Sequence, residues 1–255
     1  MQMSVQECMR AVLKNLSFAK RAFLKAQCYF VLFAAQILFF ATPINSFGFS
    51  AGVGTDYPLG IHADISQNFF NESLFVRARY GLFLSSYTDS MNSIAEDFEF
   101  YNSATSDIIA ETLNDASYIE AAFGWQESAT SGWSAEISYS AAEGEGQVTG
   151  STIAAAVSGI SLPSGTNLYD IEGEVELLGV SGGYKWPVGD SSYLLLRFGV
   201  LKPMDSKTSI DRETSGPIQE ALLQAANRSL DEYLNDILKK DVYIPVVGLT
   251  WNYRF

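Results

Sequence analysis

The chain has 255 residues, 47% hydrophobic and 18% charged, with 13% aromatics and a formal net charge of −13. A disordered chain would be apolar-poor, and a nucleic-acid binder would carry basic clusters, so the balance excludes the first and argues against the second. Seven prolines and 20 glycines exclude a collagen-like or proline-rich polymer.

Residues 1–46 differ in composition from the rest of the chain. Arg10, Lys14, Lys20, Arg21 and Lys25 form a basic stretch with Glu7 as its one acid, and an apolar run then covers Cys28 to Ala41. That order is the charged region and apolar region of a secretory signal, followed by the polar stretch TPINSFG. Cleavage is expected after Ser46 or Gly48, although neither is a clean A-x-A site. A membrane anchor is the alternative, but the apolar run spans only about 21 Å as a helix against a hydrocarbon core of ~30 Å. Five of the 16 basic residues and one of the 29 acids lie in this segment, which leaves a mature charge of −17. Both cysteines, Cys8 and Cys28, leave with it, so the exported part has no disulfide and no thiol site.

After residue 46 no apolar run is long enough for a transmembrane helix. Period-2 alternation predicts strands near 47–55, 59–66, 73–85, 118–127, 132–142, 172–186, 191–201 and 242–255. Leu74, Val76, Ala78, Tyr80 and Leu82 oppose Arg77, Arg79 and Gly81. Ile119, Ala121, Phe123 and Trp125 oppose Glu120, Gly124 and Gln126; Trp133, Ala135, Ile137 and Tyr139 oppose Ser134, Glu136 and Ser138. In the sixth strand the pattern changes phase near Leu177–Leu178, which suggests a bulge. The last strand is the clearest, with Tyr243, Pro245, Val247, Leu249, Trp251, Tyr253 and Phe255 on one face and Thr250, Asn252 and Arg254 on the other.

Between these strands, tight links at 67–72, 128–131 and 187–190 alternate with long ones at 86–117, 143–171 and 202–241. Short turns at one end and long loops at the other is the layout of an outer-membrane barrel. An even strand number puts both chain ends on the short-turn, periplasmic side. Trp125, Trp133, Trp186 and Trp251, with Tyr253 and Phe255, fall at that end, and Tyr80, Tyr118, Tyr139 and Tyr243 toward the other. Two aromatic belts bounding an apolar band is what interfacial anchoring predicts. The long links carry helical spacing, at 217–240 (Ser215 as cap, Pro217 in the first turn), at 104–115 (Ser106 or Asp107 as cap) and, more weakly, at Thr152–Val157.

The C-terminal strand, ending in Phe255 with apolar or aromatic residues at alternate positions before it, resembles the assembly-recognition signal of Gram-negative outer-membrane barrels. The layout is similar to small barrels of the OmpA, OmpX and OmpW kind. The resemblance implies an all-β fold, a closed antiparallel transmembrane barrel, here of eight strands by the alternation; the helical spacing adds helical insertions in its long extracellular loops, unlike most barrel loops. It further implies residence in the cell outer membrane, contact with outer-membrane lipid and lipopolysaccharide, and recognition of the last strand by the barrel-assembly machinery. A soluble β-sandwich, and a ten-stranded barrel holding the 217–240 helix inside, stay open as alternatives. Oligomeric state is left open as well.

An eight-stranded barrel has an interior that side chains fill. Inward positions place His62, Asp64, Arg77, Arg79, Glu120, Glu136, Glu174, Glu176, Arg197 and Arg254 in the lumen as paired charges, with Glu176 least secure beside the expected bulge. Such pairs form either a plug of salt bridges or a narrow polar path gated by them. The apolar face of the loop helices predicts a compact cap over the barrel mouth, with an apolar-ligand site or an oligomer contact as alternatives. Acids crowd the loops, among them Glu96, Asp97, Glu99, Asp107, Glu111, Asp115, Glu143 and Glu145. They read as a solvated surface; a Ca²⁺ or Mg²⁺ bridge to lipopolysaccharide is the functional alternative. Without an EF-hand loop, no metal or other cofactor is expected.

The expected role is structural or surface-interacting, with transport of a small or apolar solute as the alternative. Catalysis is not expected, and a lipid-modifying outer-membrane enzyme using His62 is kept as the second alternative. His62 shares a strand face with Asp64 and Ser66, but same-face neighbours are not a triad. Lipid A deacylase barrels pair a histidine with a serine near the outer rim, whereas here His62 is followed by Ala63.

Overall fold

Eight antiparallel strands pair in sequence order and close on themselves: β1 (Gly48–Tyr57), β2 (Gly60–Phe69), β3 (Leu74–Phe83), β4 (Ser117–Gln126), β5 (Gly132–Thr149), β6 (Leu168–Pro187), β7 (Ser192–Asp211) and β8 (Ile244–Arg254). The computed structural model describes residues 48–97, 102–114, 116–156, 168–211 and 217–255, so the expected signal segment 1–46 lies outside the described residues. The eight-membered ring of strands rules out the ten-stranded alternative. Among the described residues four helices interrupt the long links: α1 (Ser85–Asp97), α2 (Ser103–Leu113), α3 (Gly150–Ala156) and α4 (Pro217–Asp241).

Three strands are longer than the alternation indicates. β5 continues from Glu143, its last partner of β4, to Thr149; β7 continues from Leu201, where β8 begins at Ile244, to Asp211. With β6 they form a three-stranded blade rising above the barrel rim, where long loops were expected. The register shift lies where the sequence suggests one, between Glu176 and Leu177, but the extra residue is Met204 on β7, between Pro203 and Asp205. β6 itself keeps its phase. Val175 and Leu177 face inward, so Glu174 and Glu176 face away from the lumen, contrary to expectation.

The inner face of the blade is the second core of the molecule. Val148, Tyr169, Ile171 and Ile210 from the strands pack against Ile108 of α2, Ile153 of α3, and Ala226, Leu230 and Leu234 of α4. α4 also covers the open edge of β7 by a regular device. Asn227 accepts from the Ile210 amide and donates to its carbonyl (2.8 Å), Asp231 accepts from the Thr208 amide (2.9 Å), and Asn235 accepts from the Ser206 amide (3.1 Å) and donates to its carbonyl (2.7 Å). Four helical residues rise about 6 Å and two strand residues about 6.8 Å, so polar side chains at helical spacing match every second strand residue. A row of unpaired backbone groups is thereby satisfied where an exposed edge would invite another strand.

Two helical details differ from expectation. The cap of α2 is Asn102, whose side chain accepts from the Thr105 amide, in place of Ser106 or Asp107, which lie within the helix. α1 has a mainly polar sequence with a narrow apolar stripe that includes Tyr87 and Met91, and tertiary contacts hold it: Tyr87 packs edge-on against Tyr57 at 5.3 Å, and the Asn92 amide donates to the Ser106 carbonyl of α2 at 3.0 Å.

Candidate functional site

The barrel interior is filled from wall to wall by charged and polar side chains. At its centre Arg79 and Arg197 both bridge Asp56 and Glu120. Arg79 Nη1 lies 2.7 Å from Asp56 Oδ2 and 2.9 Å from Glu120 Oε1; Arg197 reaches the same two carboxylates at 3.0 and 2.9 Å. Arg197 Nε is also 3.1 Å from Glu136 Oε1, and Arg77 closes the chain on the other oxygen of Glu136. Ser181 donates to Glu136 at 2.9 Å while accepting from Arg197 at 3.0 Å. All four members of the central square are at most 2% exposed.

The surrounding backbone makes room for this cluster. Gly248 faces Asp56 from β8, and a Cβ there would overlap the Asp56 carboxylate. Gly81 accepts the ring of Tyr118, which would collide with a Cβ at that position. Tyr118 therefore points inward and is buried, as its parity with Glu120 implies, and it does not join the outer-rim belt in which its place near the strand end puts it. His62 is also inside, with Nε2 at 3.1 Å from Thr250 Oγ1; Asp56 and Asp64 stand at 3.7 and 3.8 Å from its ring. Ser66, the hydroxyl on the same strand face, bonds Ser50 at 2.7 Å.

Below the ionic layer, toward the short turns, Lys185 is buried. It donates to Gln126 and to the Ala129 carbonyl (3.3 Å) and lies over the rings of Phe75 and Tyr193 at 5.5 and 5.1 Å. Above the ionic layer, Leu59, Tyr118, Ala142, Leu177, Leu201 and Val246 form an apolar layer across the mouth.

His62, Asp64, Arg77, Arg79, Glu120, Glu136 and Arg197 are thus brought into one buried cluster. Arg254 is not in it: its guanidinium pairs with Glu72 at the β2–β3 turn, about one-third exposed. Glu174 and Glu176 lie on the outer face of β6. Asp56 and Lys185 belong to the interior and are absent from the lumen set expected from sequence. Both are reachable from the alternation, because Gly52 and Gly54 lead by twos to Asp56, and Ser181 and Gly183 lead to Lys185. Among the described residues no three His, Cys, Asp or Glu side chains converge so as to hold a metal ion.

The exterior has the opposite character. Val53, Ile65, Ile137, Val180, Val247 and Leu249 are each about half exposed around the circumference. Trp125, Trp133, Trp186 and Trp251 stand outside near the short turns, where Trp133 contacts Tyr184 at 5.2 Å and Tyr184 contacts Trp186 at 4.8 Å. Tyr253 and Phe255 pack edge-on at 5.1 Å beside them. Tyr80, Tyr139 and Tyr243 are exposed toward the other end. From Trp251 to Tyr243 is about 27 Å along the strand, or roughly 20 Å of height at an ordinary barrel tilt, close to the apolar band of membrane barrels. Among the described residues no helix is long and apolar enough to cross a membrane. A closed cylinder with apolar side chains outside and charges inside leaves no backbone edge unpaired in lipid, which makes it a membrane-spanning β-barrel.

No protein-family model matches the chain, and no curated protein does. Solved structures do. A major outer membrane protein from Thermus thermophilus aligns at 11% identity with a TM-score of 0.47, covering 83% of this chain and 100% of that one. CarO2 from Acinetobacter baumannii aligns at 11% identity with a TM-score of 0.36, over 83% and 100% of the two chains. The N-terminal β-barrel domain of OprF from Pseudomonas aeruginosa aligns at 8% identity and 0.34, over 83% and 98%.

Proposed function

We propose that this chain is an outer-membrane barrel with a sealed interior, serving a structural or surface-interaction role through a folded head that caps its outer mouth. The observation that carries this reading is the double seal. An ionic layer in which Asp56, Glu120 and Glu136 are held by Arg77, Arg79 and Arg197 lies beneath a layer of Leu59, Leu177, Leu201 and Val246. A solute would have to break several fully desolvated ion pairs, and a charge left alone in such a place costs about 3–5 kcal/mol.

In this orientation the start of β1, the end of β8 and the tryptophan belt are periplasmic, and the blade of β5–β7 with α1–α4 stands outside the cell. The partners of this reading are outer-membrane lipid and lipopolysaccharide around the band, and the barrel-assembly machinery at the last strand. The Phe255 amide donates to the Phe49 carbonyl of β1 at 2.9 Å, so the terminal residue takes part in barrel closure. A His62-based enzyme has no support in the contacts described: His62 is bonded to Thr250 and Ser66 to Ser50.

The deciding experiment is conductance in planar bilayers with the purified full chain. A sealed barrel passes no unitary current at ordinary voltages. A reproducible open channel would overturn the structural reading in favour of small-solute transport.

A further inference from the structure

Directly above the apolar layer lies a cavity of about 260 Å³. Its wall includes Leu59 and Leu177 from the barrel mouth, Ile109 of α2, and Leu234 and Leu238 of α4. A cavity of about 150 Å³ lined by aliphatic side chains stays dry and binds benzene, so by proportion this one has room for roughly ten carbon atoms. That is one short alkyl segment: Glu143, Glu174 and Lys207 border the cavity, but the surface it exposes inside is almost wholly apolar.

The cavity also has a side. The β7–β8 ladder ends at the Leu201–Ile244 pair; β7 then continues upward to Asp211, while the chain entering β8 arrives from α4 through Val242 and Tyr243. Pro203 on one flank of this seam and Pro245 on the other both line the cavity. Proline has no N–H, so neither flank presents a backbone donor at these points. Tyr243 and Pro245 also belong to the lipid-facing stripe that continues through Val247 and Leu249, so the cavity wall is continuous with the outer surface of the barrel. On that outer side Lys202 Nζ sits 5.3 Å over the Tyr243 ring. The seam thus carries a cation and an aromatic ring at its rim and an apolar chamber behind.

We propose that this cavity is a lipid site, taking the end of one acyl chain from a membrane amphiphile that enters sideways at the β7–β8 seam, with an anionic headgroup resting near Lys202. The proposal rests on the membrane-barrel reading, since the chain is delivered from the bilayer. It is independent of conductance, because the chamber lies above the seal.

The test uses the full chain reconstituted in vesicles of phosphatidylcholine containing a phosphatidylglycerol with a photoreactive diazirine near the end of one acyl chain. Illumination and peptide mapping should find label on Leu177, Leu234 or Leu238, in addition to the outer stripe at Val247 and Leu249. Ile109→Trp and, separately, Leu238→Trp should each suppress the internal label severalfold and leave the outer label unchanged. Two variants on different helices guard against one that misfolds, and retention of heat-modifiable migration on unboiled gels reports folding. Lys202→Glu should lower internal labelling with the phosphatidylglycerol probe more than with a zwitterionic probe. Label confined to the outer stripe would overturn the site while leaving the barrel intact. Internal labelling by free photoreactive dodecanoate but not by the phospholipid would overturn the bilayer lipid as occupant. A chain that never enters the vesicles would overturn the barrel reading, and the site with it.

Discussion

The lower and upper halves of β6 show one strand obeying two opposite solvents. From Leu178 to Trp186, the outward positions are Leu178, Val180, Tyr184 and Trp186, and the inward ones are Gly179, Ser181, Gly183 and Lys185. From Leu168 to Leu177 the pattern inverts, with Tyr169, Ile171 and Val175 inward and Asp170, Glu172, Glu174 and Glu176 outward. The strand does not turn over between them; its surroundings do. In the barrel the outside is lipid and the inside holds charges, whereas in the blade the outside is water and the inside holds helices. A change of hydrophobic phase along a strand can therefore record the membrane boundary instead of a bulge in that strand.

Removing a charge from the barrel interior should have the largest effect. Arg197 touches Asp56, Glu120 and Glu136, so Arg197→Met leaves three buried carboxylates short of a partner. The expected loss is about 3–5 kcal/mol, read as a lower urea midpoint for loss of the heat-modifiable form. Replacing Arg79, Arg197, Asp56 and Glu120 together by apolar residues of similar volume should cost less than the sum of the four single replacements, since the charges removed balance and Glu136 keeps Arg77, while Asp64 loses Arg79. An additive loss over the four would show that the pairs are not coupled as described.

A cation placed on the lipid side comes next. Val180 is outward and 64% exposed between Ile137 and Val200. Val180→Lys should cost about 2 kcal/mol if that surface lies within the hydrocarbon, and close to nothing if it meets water. Smaller still is the effect of the α4 ladder. Asn227→Ala removes two bonds to Ile210, each worth about 1 kcal/mol at most once solvent competes. Hydrogen exchange at the Ser206, Thr208 and Ile210 amides should quicken while exchange within the barrel stays fixed; a barrel-wide change would show that the head and barrel unfold as one unit.

The same contrast explains what can be read in the sequence. Inside the bilayer, alternation is strict because lipid and lumen differ sharply, so Arg77, Arg79, Glu120, Glu136 and Arg197 are legible as lumen residues from their spacing alone. Asp56 and Lys185 obey that spacing as well, but each sits near the end of its strand, where the expected boundary or the neighbouring turn hides it. Glu174 and Glu176 are misassigned from sequence because a phase change looks the same whether it marks a kink or the water boundary. The blade reads as loop because its outward residues are largely acids and Gly144, Gly146 and Gly173 take inward positions against α2, residue types with low strand preference. Its strands exist through packing on helices distant in sequence, and local pattern does not report that. Tyr118 shows the limit for single residues. Its inward facing follows from its parity with Glu120, but the room for its ring comes from Gly81 across the ladder, a pairing only the three-dimensional register reveals.

The smallest predicted effect bears most directly on the inversion. On the outer face of the blade Glu143 stands opposite Glu174, and Glu145 opposite Glu172. Like charges directly across a ladder destabilise it, and water at high dielectric keeps the penalty small. Glu172→Lys should therefore stabilise the blade slightly, by about 0.2–1 kcal/mol, with the gain shrinking as salt is raised. The measurement is protection of the Gly144, Gly146 and Ile171 amides at low and high ionic strength. The same substitution to lysine further along the strand, at Val180, is predicted to have the opposite sign. If both substitutions proved neutral, the surface around Val180 would be wet, and the boundary drawn across β6 at Leu177 would have no physical basis. If both were costly, the blade would be buried against lipid or a second molecule. Only opposite signs on a single strand fit a sheet that leaves the hydrocarbon partway along its length.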